Sequence, residues 1–243
     1  MQTEPNASGS APPFWQARLP GRPLSGLTVL VVEDSRFASE AMRLLCLRSG
    51  ARIRRADSLR TAMRHLQTYR PTVVIVDMGL PDGCGTELIA QIRTLGSGAP
   101  MILAISGDPD MRNQAMRAGA ADFLEKPIES LAVFQQTILS SLPPEAAPRG
   151  PRLLPDDIVI PDDSALRDDL AHVAEVLAGA SDSAAIDYIA RFLTGVARSA
   201  HDGPLAEAAA ALARDHQAGR AVATDLTRIS GLLHERLTAV GSA

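Results

Sequence analysis

Apolar and polar positions follow two distinct patterns through the first half of the chain. Short, unbroken apolar runs rich in β-branched residues are typical of strands buried on both faces, and apolar positions three and four apart indicate helices. The predicted strands span 27–32, 51–56, 72–77, 101–106 and 121–127, and the predicted helices span 35–50, 58–69, 85–96, 108–120 and 130–142. Five strand–helix alternations predict an α/β fold, a doubly wound parallel sheet of five strands covered by helices on both faces.

The segments around this α/β region have a different texture. Residues 1–26 are rich in Pro, Ser, Gly and Ala and predict a disordered leader. After the α/β domain at 27–142, repeated prolines at 143–163 predict an extended linker. Residues 164–243 show helical spacing only and predict an all-α domain, built as an antiparallel four-helix bundle. Its helices are predicted at 164–177, 183–200, 204–216 and 221–237.

Composition narrows the class of protein. The 243 residues carry a net charge of −4, which leaves no basic surface of the kind that binds nucleic acid. We find no apolar run of about 18 residues that predicts a membrane span, and the first residues lack the pattern of a signal peptide. The two cysteines, Cys46 and Cys84, form neither a disulfide framework nor a metal motif. We therefore expect a cytoplasmic protein that binds neither membrane nor nucleic acid.

Polar residues stand where the predicted strands end. Glu33 and Asp34 follow the first strand, Asp77 ends the third, Ser106 ends the fourth and Lys126 lies at the end of the fifth. Because the carboxyl ends of parallel strands share one rim of the sheet, ligands gather there. We expect these five side chains to converge on a single site.

The chemistry of that set predicts a metal and a phosphate. Three carboxylates brought together repel one another unless a cation joins them, and Mg²⁺ suits hard oxygen ligands completed by water and phosphate. Lys126 is the only lysine among 24 basic residues. A crowded metal–phosphate pocket accepts a compact ammonium on a flexible stem and excludes a broad planar guanidinium, which explains a lysine at this one position.

Four stretches, "VLVVEDS", "VVIVDMGLPDGCG", "ILAISG" and "AMRAGAADFLEKPI", occur in this order. Residues 27–142 therefore resemble the receiver domain of two-component response regulators. The resemblance implies a flavodoxin-like sheet with strand order 2-1-3-4-5. It also implies that the protein takes part in a phosphorelay and works with Mg²⁺.

The resemblance implies a role for each residue that would hold the metal. Asp77 is the phosphoacceptor and, with Asp34, ligates Mg²⁺ directly. Glu33 acts through a water molecule, and the backbone carbonyl of Gly79 completes the protein ligands. An aspartyl phosphate is a known product of carboxylate nucleophiles, and such transfer depends on position and charge neutralisation.

The same resemblance implies a phosphoryl-binding pair and a switch. Ser106 and Lys126 contact the phosphoryl oxygens. Phe123 is the aromatic switch residue, which follows the Ser106 hydroxyl and rotates inward after phosphorylation. Pro127 implies a cis Lys126–Pro127 peptide bond, since cis bonds are essentially confined to proline.

One segment of the helical half, "ARFLTGVARSAHDGPLAEAAAALARDHQAG", is similar to the central hairpin of histidine phosphotransfer domains. Leu193 and Gly195 match that pattern, but Arg191 stands at the histidine position and Thr194 at the lysine position. Arginine cannot accept and pass on a phosphoryl group as imidazole does. The resemblance therefore implies a degenerate module, kept as a docking surface or for dimerisation, against the alternative of an unrelated helical bundle.

Together these patterns predict a phosphoacceptor signalling protein, not an enzyme beyond its own phosphotransfer and autodephosphorylation. A histidine kinase or a histidine phosphotransfer protein would phosphorylate Asp77, and the helical domain would then change its contacts with another signalling protein or with a second copy. The alternative is a relay or phosphatase protein whose helical domain handles phosphate itself. That alternative would need His172 or His201 to act in place of Arg191.

Overall fold

The computed structural model describes residues 21–143, 155–179 and 182–239, and most of the predicted leader and linker lies outside them. The strands are β1 Thr28–Val32, β2 Arg52–Ala56, β3 Val73–Asp77, β4 Gly79–Leu80, β5 Gly83–Cys84, β6 Met101–Ser106 and β7 Asp122–Glu125. The helices of this part are α1 Arg36–Ser49, α2 Leu59–Thr68, α3 Gly85–Arg93, α4 Met111–Ala118 and α5 Leu131–Ser141.

The main sheet has the strand order β2-β1-β3-β6-β7, and all its neighbours pair in parallel. The two-residue strands β4 and β5 form a separate antiparallel ribbon after β3. Leaving that ribbon aside, the order of the five sheet strands is 2-1-3-4-5. The predicted flavodoxin-like fold is therefore confirmed.

Apolar side chains cover both faces of the sheet, which explains the unbroken apolar runs. Because successive residues of a strand point to opposite faces, Val29 and Val31 join one apolar layer while Leu30 and Val32 join the other. The first layer includes Phe134 of α5, which is completely buried. Charged residues can therefore be accommodated only at the ends of these central strands.

Most element boundaries differ from the sequence prediction by one to three residues, and two of these differences lie near the strand ends that carry the polar residues. β7 ends at Glu125, so Lys126 lies in the first position after the strand. Helix α4 begins at Met111, and Pro109 precedes it instead of lying in its first turn. A proline fixes its own φ and restricts the residue before it, which favours a turn here.

The described ends of the predicted leader and linker pack against the α/β domain. Leu24, which the sequence prediction places in the leader, is completely buried in the first apolar layer. Val159 is also completely buried, and its N–H donates to the carbonyl of Glu129 at 2.9 Å. Residues 157–159 thus pair with the segment just before and at the start of α5.

Four helices follow, α6 Asp163–Gly179, α7 Ser183–Ser199, α8 Gly203–Gln217 and α9 Ala223–Ala239. They share one apolar core, and the predicted all-helical region is confirmed. The fully or almost fully buried members of that core include Val173, Ile189, Leu193, Leu212, Ile229 and Leu233. In the described part of the chain, each helix is too short or too polar to cross a membrane.

Asp202 joins the start of α8 to α9. Its Oδ1 accepts from the Leu205 N–H at 3.1 Å, and Arg236 donates to both carboxylate oxygens at 2.7 and 3.0 Å. Hydrogen bonds from Arg236 hold the pKa of Asp202 below its ordinary value. This carboxylate serves as helix cap and ion-pair partner at once.

We expect Asp202→Ala to lower the free energy of unfolding of the helical region by about 1–2 kcal/mol, because it removes a cap and a partly buried ion pair. Urea unfolding followed by circular dichroism would measure the change. The matched control is Asp215→Ala, which removes the more exposed pair with Arg220. Equal losses in the two variants would contradict the assignment of a special role to Asp202.

Candidate functional site

Register within the sheet places the carboxylates side by side. β1 and β3 are neighbours, and Val32 pairs with Val76. Glu33 and Asp34 follow β1, and Asp77 is the last residue of β3. The three carboxylates therefore lie at the same edge of the sheet. This is the arrangement that the sequence predicts.

The same register brings in the remaining two polar groups. Asp77 pairs with Ile105, so Ser106 follows one step beyond it on the next strand. Ser106 in turn pairs with Glu125, the last residue of β7, so Lys126 is the next residue along the chain. The Lys126–Pro127 peptide bond is cis, as the resemblance predicted.

Lys126 is the centre of the cluster. Its Nζ donates to Asp77 Oδ2 at 3.0 Å and lies 2.7 Å from Glu33 Oε2, and its side chain is only 4% exposed. Burial is the largest single influence and favours the neutral amine, but the attraction of Asp77 and Glu33 outweighs it and raises the pKa of Lys126. The ammonium therefore stays charged in a buried position.

One ammonium does not balance three carboxylates. Burial, reinforced by the nearby charge of Asp77, raises the pKa of Asp34 from its ordinary 3.8 to about 7 and raises that of Glu33 strongly. Glu33 Oε2 lies 2.7 Å from the Lys126 ammonium and has no other polar partner among the described residues. The site carries excess negative charge and an oxygen ready to accept.

These residues fit a divalent cation. Glu33, Asp34 and Asp77 each offer one oxygen, and these oxygens lie within 4.8 Å of one another. An incomplete shell of hard oxygen ligands is the donor set that Mg²⁺ accepts, with water filling the remaining positions. Three carboxylates facing one ammonium leave the excess negative charge that such an ion would compensate.

Backbone packing holds the loop after Asp77 in place. The Met78 N–H donates to the carbonyl of Ile105 at 3.0 Å, and the Gly85 N–H donates to the carbonyl of Met78 at 3.2 Å. A Cβ at Gly85 would lie 2.3 Å from the Asp77 carbonyl oxygen, so only glycine fits at this start of α3. Gly79 lies beside the site, and its N–H is 3.4 Å from Asp77 Oδ1. Use of the Gly79 carbonyl as a ligand stays a prediction.

Phe123 lies on β7 in the second apolar layer, where it is 3% exposed. The guanidinium of Arg112 stands over its ring, 5.1 Å from the centroid. The ring is thus already inward in this structure. Its role as a switch stays a prediction.

Helix α7 contributes side chains that the sequence did not reveal. The Tyr188 hydroxyl donates to Asp34 Oδ2 at 3.2 Å, and Arg198 donates to the carbonyl of Gly107, the residue after Ser106. A contact between residues 154 positions apart leaves no signal in a single sequence. The helical region is therefore part of the site.

A cavity of about 650 Å³ lies between the receiver-like rim and the helical region. The sheet side contributes the carboxylates and the lysine, and α7 and α8 contribute mainly arginines and small residues. Its lining includes Glu33, Asp77, Gly79, Ser106, Lys126, Arg191, Gly195, Arg198, Arg214 and Gln217. Arg191, predicted as the degenerate phosphotransfer position, thus lines the same cavity as Asp77.

Comparison with known proteins defines the class to which this fold and site belong. Residues 29–137 match the family model for the response regulator receiver domain. This part of the chain is therefore a receiver domain, as the four motifs predicted. The match ends before the helical region, whose identity it leaves open.

Individual relatives match part of the chain. The KDP operon transcriptional regulatory protein KdpE of Escherichia coli (strain K12) is 32% identical over 99 residues, which cover 41% of this chain and 44% of KdpE. The transcriptional regulatory protein FixJ of Rhizobium meliloti is 27% identical and covers 46% of this chain and 55% of FixJ. The chain thus spans about half the length of these curated relatives.

Among solved structures, the receiver domain of sensor histidine kinase PA1611 from Pseudomonas aeruginosa PAO1 is 24% identical, with a TM-score of 0.44. The match covers 48% of this chain and 97% of that domain, which was crystallised with magnesium coordinated in its active-site cleft.

We expect Asp34→Asn to weaken Mg²⁺ binding by about tenfold or more while it stabilises the metal-free protein. The folded pKa of Asp34 is raised, so the folded state binds a proton here more tightly than the unfolded chain, and metal-free stability falls as the pH rises from about 4 to 7. The amide cannot ionise, so this loss disappears and stability at pH 8 rises by about 1–2 kcal/mol.

Calorimetric titration with Mg²⁺ and urea unfolding in chelator at pH 5 and pH 8 would measure both effects. Glu125→Gln is the control, because Glu125 is an exposed carboxylate at the end of β7, another strand of the same sheet. Unchanged Mg²⁺ affinity in Asp34→Asn would remove this residue from the metal site.

Proposed function

We propose that this chain is a response regulator that accepts a phosphoryl group on Asp77 from a phosphohistidine of a histidine kinase or a phosphotransfer protein. The phosphorylation state of Asp77 then controls how the helical region contacts another signalling protein or a second copy of the chain. The protein acts as a phosphoacceptor and catalyses only its own phosphorylation and dephosphorylation.

The chemistry rests on the positions of three side chains. Asp77 supplies the carboxylate nucleophile. Lys126, held 3.0 Å from Asp77 Oδ2, provides a fixed positive charge where charge develops on the transferred group. Ser106 lies on the adjacent strand end and lines the same cavity, where its hydroxyl is within the reach of a phosphoryl oxygen. When bound, a divalent cation on the acidic cluster would neutralise phosphoryl charge.

The observation that carries the switching part of the proposal is the position of α7. It contacts the loops that follow β1, β3 and β6 through Tyr188, Arg191 and Arg198 respectively. Asp34 lies in the first of these loops, and Asp77 and Ser106 are the strand residues that immediately precede the other two. A change at the phosphoacceptor therefore acts directly on the surface that holds the helical region, which is the minimum for a ligand-biased switch.

Relay of phosphate through the helical region is less well supported. No histidine lines the cavity with Asp77 among the described residues. His201 instead pairs with Glu129 at 2.6 Å, and His172 contacts the Tyr188 hydroxyl at 3.3 Å. Arg191 is in the cavity, and a guanidinium has no free nitrogen lone pair to attack phosphorus.

Transcriptional control by direct DNA contact is also less well supported, although two relatives are named transcriptional regulatory proteins. Those matches cover only 41% and 46% of this chain. The helical half of this chain contains no lysine, and its acidic residues outnumber its arginines. Such a surface repels the DNA backbone, whose phosphates dominate affinity.

We expect Asp77→Asn to abolish phosphorylation of the full chain by phosphoramidate in the presence of Mg²⁺, because the amide is not a nucleophile for phosphorus. Mass spectrometry, together with the amount of base-labile phosphate on the protein, would measure phosphorylation. The control is Asp110→Asn, which removes another carboxylate from the same cavity and should leave labelling intact. Stoichiometric label on Asp77→Asn would refute the proposed phosphoacceptor.

We expect Lys126→Arg to slow phosphorylation by about tenfold or more although the charge is kept. The ammonium fills a buried position, and a Cβ at Gly195 would lie 3.7 Å from it, so the wider guanidinium must displace α7 or turn away from Asp77. Rates of phosphoramidate labelling and of label loss would be compared with those of Arg55→Lys, which exchanges the same two residue types at an exposed position. Normal rates in Lys126→Arg would mean that the lone lysine has no special role.

A further inference from the structure

The helical region is seated on the face of the receiver domain that carries the phosphoacceptor. Its contacts run from the start of α1, across the loops after β3 and β6, to the segment after Lys126. At the far end His201 pairs with Glu129. The contact surface therefore surrounds Asp77 on several sides.

The contact at α1 has the features of a specific interface. Asp169 of α6 is 3% exposed, and its Oδ2 accepts from the Ser35 hydroxyl at 2.7 Å and from the Phe37 N–H at 3.0 Å. Its Oδ1 accepts from the Arg36 N–H at 2.8 Å, and the neighbouring Asp168 pairs with the Arg36 side chain at 2.6 Å. A buried carboxylate from one region thus occupies the helix N-terminus of the other, where a negative charge is favourable.

Helix α7 lies directly over the phosphoacceptor. The Cβ of Arg191 is 3.9 Å from where a Cβ at Gly79 would stand. One helical turn later, a Cβ at Gly195 would lie 3.7 Å from Lys126 Nζ, which is itself 3.0 Å from Asp77 Oδ2. Positions 191 and 195 share one helix face because they are four residues apart. That face therefore lies across Asp77, between the loop after β3 and Lys126.

Phosphoryl transfer fixes where a donor must stand. The attacking oxygen, the phosphorus and the leaving nitrogen lie roughly in line. A phosphohistidine on a protein must therefore approach Asp77 from the open side of the sheet rim, the side that α7 covers. Arg191 lines the cavity on that side.

We propose that α7 occupies, within the same chain, the docking site of a phosphohistidine-bearing helix, with Arg191 at the place of the donor imidazole. The inference rests on the proposed function. It follows that the helical region and a protein phosphodonor exclude each other. A small phosphodonor can still reach Asp77 through the cavity of about 650 Å³.

The experiment asks whether position 191 is in register for transfer. The full chain with Arg191→His is phosphorylated on Asp77 with phosphoramidate and Mg²⁺. A neutral imidazole nitrogen then attacks phosphorus, an N–P bond forms, and the Asp77 O–P bond breaks with its electron pair returning to the carboxylate; the other ring nitrogen keeps its proton. We expect acid-labile, base-stable phosphohistidine at position 191, formed at a rate independent of protein concentration.

Two further variants control for other routes to a labelled histidine. Adding Asp77→Asn should eliminate the phosphohistidine, and its persistence would mean direct chemical labelling and overturn the inference. Histidine placed one turn earlier by Asp187→His, in a chain that keeps Arg191, should gain no label, because one turn moves it about 5.4 Å along the helix. Label there equal to that of Arg191→His would show proximity without register and overturn the inference.

Opening the interface should stop the transfer. In the Arg191→His chain, Asp169→Lys places a cation at the N-terminus of α1 and should greatly reduce phosphohistidine while label on Asp77 is kept. Asp169 is not part of the apolar core of the helical region, so that fold should persist. Glu175→Lys makes the same charge change at an exposed position on α6 and should leave transfer intact. Transfer unaffected by Asp169→Lys would overturn the docked arrangement.

The experiments distinguish a failure of the proposed receiver function from a failure of the docking inference. If Asp77 gains no label in the unaltered chain, the phosphoacceptor assignment fails, and the inference fails with it. If Asp77 is labelled but Arg191→His forms no phosphohistidine, the receiver function stands and the docking inference alone is wrong. Circular dichroism of the Arg191→His chain would show whether the helical region is intact.

Discussion

The buried contact of Lys126 with Asp77 and Glu33 is the interaction on which the rest of the structure depends. Charges are costly to bury unless they are paired, and this group holds three carboxylates against one ammonium. The apolar strands beneath it and the close packing of Gly85 on the Asp77 carbonyl keep the group together against its own repulsion. Burial, together with the nearby charge of Asp77, raises the pKa of Asp34 to about 7.

Much of the α/β region was predictable because its signals are local. Unbroken apolar strands and helical spacing define each element without reference to distant residues, and the polar residues at strand ends are conspicuous for the same reason. The strand order came from the resemblance of four motifs and not from periodicity. Boundaries were less certain: the strand before Lys126 ends one residue earlier than that lysine, and Pro109 lies outside α4, since turn geometry overrides the helical pattern there.

The interface between the two halves was not predictable from one sequence. Asp169 looks like any acidic residue of a solvated helix, yet it is buried against residues 132 to 134 positions earlier. Tyr188 likewise has no motif that links it to Asp34. Arg191, Thr194 and Gly195 did have a signal, through the similarity to phosphotransfer hairpins, and all three lie in the cavity with Asp77. The similarity therefore identified part of the α7 surface, and the fold shows that this surface faces Asp77.

The shared loops imply that docking and phosphorylation influence each other equally. Arg198 holds the carbonyl of Gly107, next to the Ser106 hydroxyl that is expected to follow the phosphoryl group. If phosphorylation moves this loop, the helical region loses the hydrogen bond between Arg198 and the Gly107 carbonyl. By linkage, whatever free energy phosphorylation removes from docking, docking removes from phosphorylation. A partner that binds the released helical region would therefore favour phosphorylation of Asp77, although it touches neither Asp77 nor its phosphodonor.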